Sequence, residues 1–223
     1  MLRALPYACV ALLFSGVATS APSITPRAGT VKGSINVLVK GAPKADKSKV
    51  VVYLEGVPGD PPKGKKASIR QVEKQFDPPL TIVVKGTTVD FPNEDKIFHN
   101  VFSVSRPARF DLGLYKSGSA KSVEMKRPGV VDVYCNIHPD MVAKVKVLDN
   151  AYYAITDAKG GFTIDNVPPG EYPIVAWLAT GDEAKGMATV KAGAITDVKL
   201  EVTEVAKKTT HTRKDGTPYG RYK

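Results

Sequence analysis

Three residues suited to soft-metal chemistry lie three apart in one short stretch. Within Val130 to Leu148, VVDVYCNIHPDMVAKVKVL, a Cys-x-x-His-x-x-Met spacing sets Cys135, His138 and Met141 between two alternating runs. A thiolate, an imidazole and a thioether are soft or borderline ligands, and two imidazoles with one thiolate and a long axial thioether suit copper and electron transfer. The second imidazole has one good source, His99, in the strand-like run Ile97 to Phe102, IFHNVF. Each residue also has a plainer reading. His99 could be a core histidine, His138 a loop residue before Pro139, and Met141 core filler. Their grouping around one cysteine favours ligands. Structural zinc sites usually need more cysteine or histidine than this chain supplies. The third histidine, His211, lies in a polar tail and is left out of the set.

Strands must position these residues. In Val131-Asp132-Val133-Tyr134-Cys135 the odd positions share one face, which puts Cys135 at the core-facing end of its strand. Ala143, Val145 and Val147 are expected to face inward on the next strand, with Lys144 and Lys146 outward. Upstream, Ala67 to Phe76 reads as one strand, Leu80 to Val84 and Thr87 to Phe91 as a pair turned at Lys85-Gly86, and Ile97 to Val104 as the strand bearing His99. Pro92 to Asp95 is a turn, and Ala108 to Gly118 is irregular. Val31 to Val39 alternates weakly, and Val50-Val51-Val52-Tyr53-Leu54 suits a strand buried on both faces. Gly56 to Lys66, GVPGDPPKGKK, has no apolar periodicity and reads as a linker. After Asn150, short strands separated by turn signals give a β-sandwich pattern. No long amphipathic helix is evident, so the expected fold class is all-β.

The segment from about Ala67 to Leu148 resembles a cupredoxin of the plastocyanin and amicyanin type. The likeness rests on the Cys135, His138, Met141 spacing with Tyr134 before the cysteine and Asn100 after the first histidine. Phe76, Pro79, Gly86, Phe91 and Asn93 also agree. The resemblance implies a Greek-key β-sandwich with a mononuclear type 1 copper site held by His99, Cys135, His138 and Met141. It also implies that the Asn100 backbone N–H donates to the thiolate. Many relatives carry proline before the loop histidine; here Ile137 keeps an N–H that could be a second donor. TDAKGGFTIDNVPPGEYPIVA, from Thr156, resembles the carboxypeptidase regulatory-like domain, a small transthyretin-like sandwich. Its opening strands resemble Gly29 to Val39 and Val50 to Leu54, on the far side of the cupredoxin segment. The expectation is a copper domain, 67–148, inserted into a discontinuous seven-stranded sandwich of the transthyretin/Ig-like kind, 28–56 plus 149–205. The plainer alternative is two domains in series. Relatives with this two-part architecture are often labelled methylamine utilization proteins.

Composition bounds the surroundings. With 43% hydrophobic and 24% charged residues, the 223-residue chain is globular in class, with room for two small domains. Residues 1–20 read as a signal peptide: Arg3, then an apolar run from Ala8 to Ala18 too short to span a bilayer, then small residues. The expected location is periplasmic or secreted, with no transmembrane segment after signal removal. Cys9 leaves with that segment, so Cys135 remains the single cysteine. The net charge of +10 has no nucleic-acid motif attached; it suits a solvated surface or docking to an acidic redox partner, a dehydrogenase or cytochrome. Residues 206–223 hold six Lys/Arg against one Asp, half of that net charge, and are expected to be a disordered basic tail. Three histidines cannot furnish a second metal cluster, so an electron carrier is favoured over an enzyme. A copper-binding or delivery protein without a redox circuit is the alternative.

Overall fold

A computed structural model of the chain describes residues 27–205 and 211–219. The expected signal peptide and residues 206–210 and 220–223 lie outside the described residues. Every regular element described is a strand. Three open the chain: β1 (Gly29–Val39), β2 (Ala42–Pro43) and β3 (Val50–Leu54). Ten follow: β4 (Lys66–Ser68), β5 (Arg70–Val72), β6 (Gln75–Asp77), β7 (Leu80–Val84), β8 (Thr87–Pro92), β9 (His99–Ser103), β10 (Phe110–Tyr115), β11 (Ala120–Met125), β12 (Gly129–Cys135) and β13 (Val142–Leu148). Five close it: β14 (Tyr153–Ile155), β15 (Gly161–Val167), β16 (Gly170–Leu178), β17 (Glu183–Val190) and β18 (Ile195–Glu204).

The strands form two sandwiches. In the outer one, sheet β15-β1-β18, with β2 on β1, faces sheet β14-β3-β16-β17. Val31, Ile35 and Val37 from one sheet and Val50, Val52, Leu54, Ile174 and Ala176 from the other share its core. In the central one, sheet β10-β9-β12-β13-β7 covers sheet β11-β8-β4, with the β5–β6 hairpin beside them. Its core holds Phe91, Val101, Met125, Val131, Val133 and Val145. Alternation decides which residues these are: on β12, Val131, Val133 and Cys135 are buried while Val130, Asp132 and Tyr134 are half-buried.

The period of two also explains how the sandwiches meet. The odd residues of β3, Val51 and Tyr53, point away from Val50, Val52 and Leu54 and pack with Val175 and Trp177 against Val84 and Leu148 of the central sheet. All five residues of β3 are therefore buried, each large apolar one adding about 1.5–3 kcal/mol. β3 pairs with β14 and β16. The chain leaves the outer sandwich after Leu54 and returns near Asn150, and the two points are tied: Asn150 Nδ2 donates to the Leu54 carbonyl at 2.9 Å.

Four local expectations change. Ala67 to Phe76 is not one strand: Glu73 and Lys74, at φ of 54° and 56°, turn the β5–β6 hairpin. Lys66, the end of the expected linker, begins β4 and pairs with Thr88. Phe110 to Tyr115 is a strand, disguised by an irregularity between Asp111 and Leu114 where Gly113 takes a positive φ. Lys146 does point out of its own sandwich, yet it is only 6% exposed. The outer sandwich covers it, with Nζ 3.1 Å from the Tyr53 hydroxyl and over the Tyr53 and Trp177 rings.

Candidate metal centre

The centre lies at one end of the central sandwich, where β9 begins and β12 ends. His99 opens β9 opposite Tyr115, and Cys135 closes β12 opposite Val101. These neighbouring strands bring residues 36 positions apart into one place: His99 Nδ1 is 3.7 Å from Cys135 Sγ. The loop after β12 supplies the rest. Two backbone hydrogen bonds close it, Cys135 N–H to the Met141 carbonyl and Met141 N–H to the His138 carbonyl, both at 3.2 Å. His138 is thereby folded back, with Nδ1 3.5 Å from Cys135 Sγ and 3.1 Å from His99 Nδ1. These three side chains form the group able to hold a metal ion among the described residues. Met141 is fully buried in the same apolar cluster as Cys135.

Electrostatics prepare the same donors. Burial pushes the Cys135 thiol up, but the His99 ring and the backbone N–H groups of Asn100, Ile137 and His138 outweigh it, and the thiol sits below its usual range. Burial pushes His99 down, but Cys135 and Asp95 prevail and raise it. His138 is lowered, first by burial, then by the charges of His99 and Lys74. His99 and Cys135 are fully buried and His138 half-buried, so the site has one open edge. That edge borders a groove of about 700 Å³ lined by Lys74, Asp77, Pro139 and Asp140.

Asp95 is a supporting residue that the sequence hides inside a turn. Its Oδ2 lies 2.8 Å from His99 Nε2, and its two oxygens accept the backbone N–H groups of Glu73 and Lys74 at 2.6 and 2.9 Å. A hydrogen on Nε2 leaves the Nδ1 lone pair aimed at Cys135 and His138, the arrangement in which a carboxylate orients a ligand imidazole. Asn93 shapes the approach: Nδ2 donates to the Ile97 carbonyl at 2.8 Å, and Oδ1 accepts the Asp95 N–H at 3.0 Å. The four-residue gap from Asp95 to His99 was the available signal.

The C-terminal segment also reaches the site, contrary to the expectation of a disordered tail. Residues 211–219 lie on the outer face of β12: the His211 ring stacks on Tyr134 at 4.2 Å, and Tyr219 donates to the Cys135 carbonyl at 2.6 Å. Polar bonds and one ring stack hold the segment, so it needs no apolar periodicity. Its signal was a histidine and a tyrosine in an otherwise polar stretch.

Among the described residues no helix is long and apolar enough to cross a membrane. No protein-family model matches the chain, and no curated protein matches it. Among solved structures it is similar to a purple cupredoxin from Nitrosopumilus maritimus, 25% identical over 36% of this chain and 98% of that one, TM-score 0.33. It is similar to a reduced amicyanin mutant, 22% identical over 43% of this chain and 97% of that one, TM-score 0.35. A second amicyanin mutant in its Cu(I) form is 23% identical over 46% of this chain and 99% of that one, TM-score 0.35. The fold class is all-β, and the solved structures named above are cupredoxins.

Proposed function

We propose that the chain is a periplasmic or secreted one-electron carrier in which His99, Cys135, His138 and Met141 would hold a single copper ion. The observation that carries this reading is the convergence of two imidazole Nδ1 atoms and one thiolate sulfur, each within 3.7 Å of the other two. The donor set suits copper: thiolate and thioether favour the reduced ion, and imidazole serves both states. Bound copper would supply the exchange of one electron between Cu(I) and Cu(II).

The chain's own residues do the rest. Asp95 fixes the His99 ring, and against the push of burial the His99 ring and the N–H groups of Asn100, Ile137 and His138 favour the charged form of Cys135. Donors placed before the metal arrives move little when its charge changes. The half-buried edge of His138, beside Lys74, is the proposed point of electron passage. The net charge of +10 suits an acidic partner, a dehydrogenase or cytochrome. We read residues 67–148 as a copper domain inserted into a regulatory-like sandwich, 28–56 plus 149–205, that serves as a structural or binding module. The Asn150–Leu54 hydrogen bond supports that boundary.

Delivery of copper to another protein would call for an exchangeable site, whereas His99, Cys135 and Met141 are fully buried. Repeated redox cycling tests the choice. A carrier takes up and returns one electron per chain over many cycles while retaining its copper. A delivery protein gives up its copper to an acceptor chelator or partner in its reduced form.

A further inference from the structure

We propose that the C-terminal segment, residues 211–219, is a working part of the metal centre, with Tyr219 as a positioning residue for the cysteine ligand. This rests on the reading of Cys135 as a copper ligand. Three consecutive residues, the last two of β12 and the one that follows it, are each gripped by this segment. The His211 ring lies flat on Tyr134, with an interplanar angle of 16°. The Tyr219 hydroxyl donates to the Cys135 carbonyl at 2.6 Å. The Lys214 N–H donates to Asn136 Oδ1 at 2.9 Å. A segment lying on the surface by chance would not satisfy side chain, carbonyl and side chain in register along a single strand end.

The grip extends to the other ligand strand. Lys214 Nζ pairs with Asp111 Oδ2 at 2.6 Å, and Asp111 Oδ1 accepts from Asn100 Nδ2 at 2.7 Å. Asn100 follows His99, and its backbone N–H faces the thiolate. The segment is internally braced as well: the Tyr219 hydroxyl lies 3.1 Å from His211 Nε2, and the Arg213 guanidinium lies 5.7 Å from the Tyr219 ring centroid. A phenol that donates to the carbonyl and accepts from His211 uses its hydrogen and one lone pair without conflict.

Two consequences follow for Cys135. The hydrogen bond holds its peptide plane, and with it the direction of the thiolate. It also offsets the negative end of a carbonyl dipole beside the metal position, which favours the reduced ion. Tyr219→Phe removes the hydroxyl and keeps the ring, so the contact with Arg213 survives. In the full-length metal-free protein, loss of one hydrogen bond should raise the rate of Cys135 alkylation about two- to tenfold through easier opening of the strand end. In the copper-loaded protein the same variant should lower the reduction potential and shift the thiolate-to-copper band, with the thermal midpoint unchanged. A second variant, Lys214→Ala, should raise the alkylation rate in the same sense.

A Tyr219→Phe protein with wild-type alkylation rate, potential and band overturns the proposal. So does one in which only the thermal midpoint falls, since that marks Tyr219 as structural packing. If wild-type protein takes up copper without a thiolate band, the copper reading fails instead, and the alkylation rates still report whether the segment grips the strand.

Discussion

His99 is held from both sides of its ring: Nε2 lies 2.8 Å from Asp95 Oδ2, and Nδ1 lies 3.7 Å from Cys135 Sγ. The carboxylate therefore chooses the tautomer that a metal at Nδ1 would need. Burial pushes the Asp95 carboxyl up, but the Lys74 N–H, the His99 ring and the Glu73 N–H outweigh it, and Asp95 stays ionised below its ordinary range. Asp95→Ala should weaken copper affinity about 10- to 100-fold, the usual effect of removing a carboxylate behind a ligand histidine. Competition against a chelator of known affinity measures it; an unchanged affinity would show that the ring is oriented by something else.

Ile137 tests the hydrogen bonds to the thiolate. Its N–H helps to hold Cys135 below the usual thiol range. Ile137→Pro deletes that N–H. The sulfur then becomes a stronger donor to Cu(II), and the reduction potential should fall. In the metal-free protein the Cys135 thiol should titrate at higher pH than in the wild type. Voltammetry and thiolate absorbance read the two shifts, and an equal or higher potential contradicts the role given to Ile137.

Acid should release the C-terminal segment through Asp111. Burial pushes this carboxyl up, but Lys214, the Asn100 side chain and the Gly113 N–H prevail and lower it to about 2. A folded value below the unfolded one, about 3.9, means that the contribution is complete above pH 3.9 and is lost as pH falls toward 2. Amide-exchange protection of residues 211–219 should decline across that window. In Asp111→Asn the protection should be weaker at neutral pH and flat over the same range. A wild-type profile that is also flat removes Asp111 from the grip.

Lys146 also makes stability rise with pH, but as a cost relieved rather than a contribution gained. Burial lowers its ammonium, because the charged form is desolvated between Tyr53 and Trp177. The unfolded chain then binds more protons than the folded one between the depressed value and about 10.4, so this group makes stability rise with pH there. Lys146→Met should lack that rise and be as stable as the wild type, or more so, at neutral pH. Urea titrations at several alkaline pH values compare the two. A Met variant several kcal/mol less stable would mean that the aromatic contacts outweigh desolvation.

The strands were readable wherever one face meets a core. Val131, Val133 and Cys135 alternate with Asp132 and Tyr134, and burial follows the same rhythm. The meeting of Cys135 and His138 was readable because His138 lies in the loop that directly follows Cys135. What stayed hidden depends on partners distant in sequence or on backbone geometry without a residue signature. Glu73 and Lys74 turn the β5–β6 hairpin without the glycine or asparagine that usually marks a left-handed pair. Asp95 looks like an ordinary turn residue until the hairpin is folded beside it. Lys146 obeys its own strand's alternation, but a second sandwich covers that face. His211 and Tyr219 belong to a stretch with no apolar period, so nothing local announced that ring stacking and hydrogen bonds would hold it.

The most direct measurement is an optical and electron-spin titration of the metal-free protein with Cu(II). An intense blue thiolate-to-copper band should grow to saturation at one copper per chain. The band should vanish in Cys135→Ser and copper binding should weaken in His99→Ala, with the β-sheet content of both variants intact. Copper bound without that band, or a band that survives in Cys135→Ser, would contradict the assignment of His99, Cys135, His138 and Met141 as a copper site.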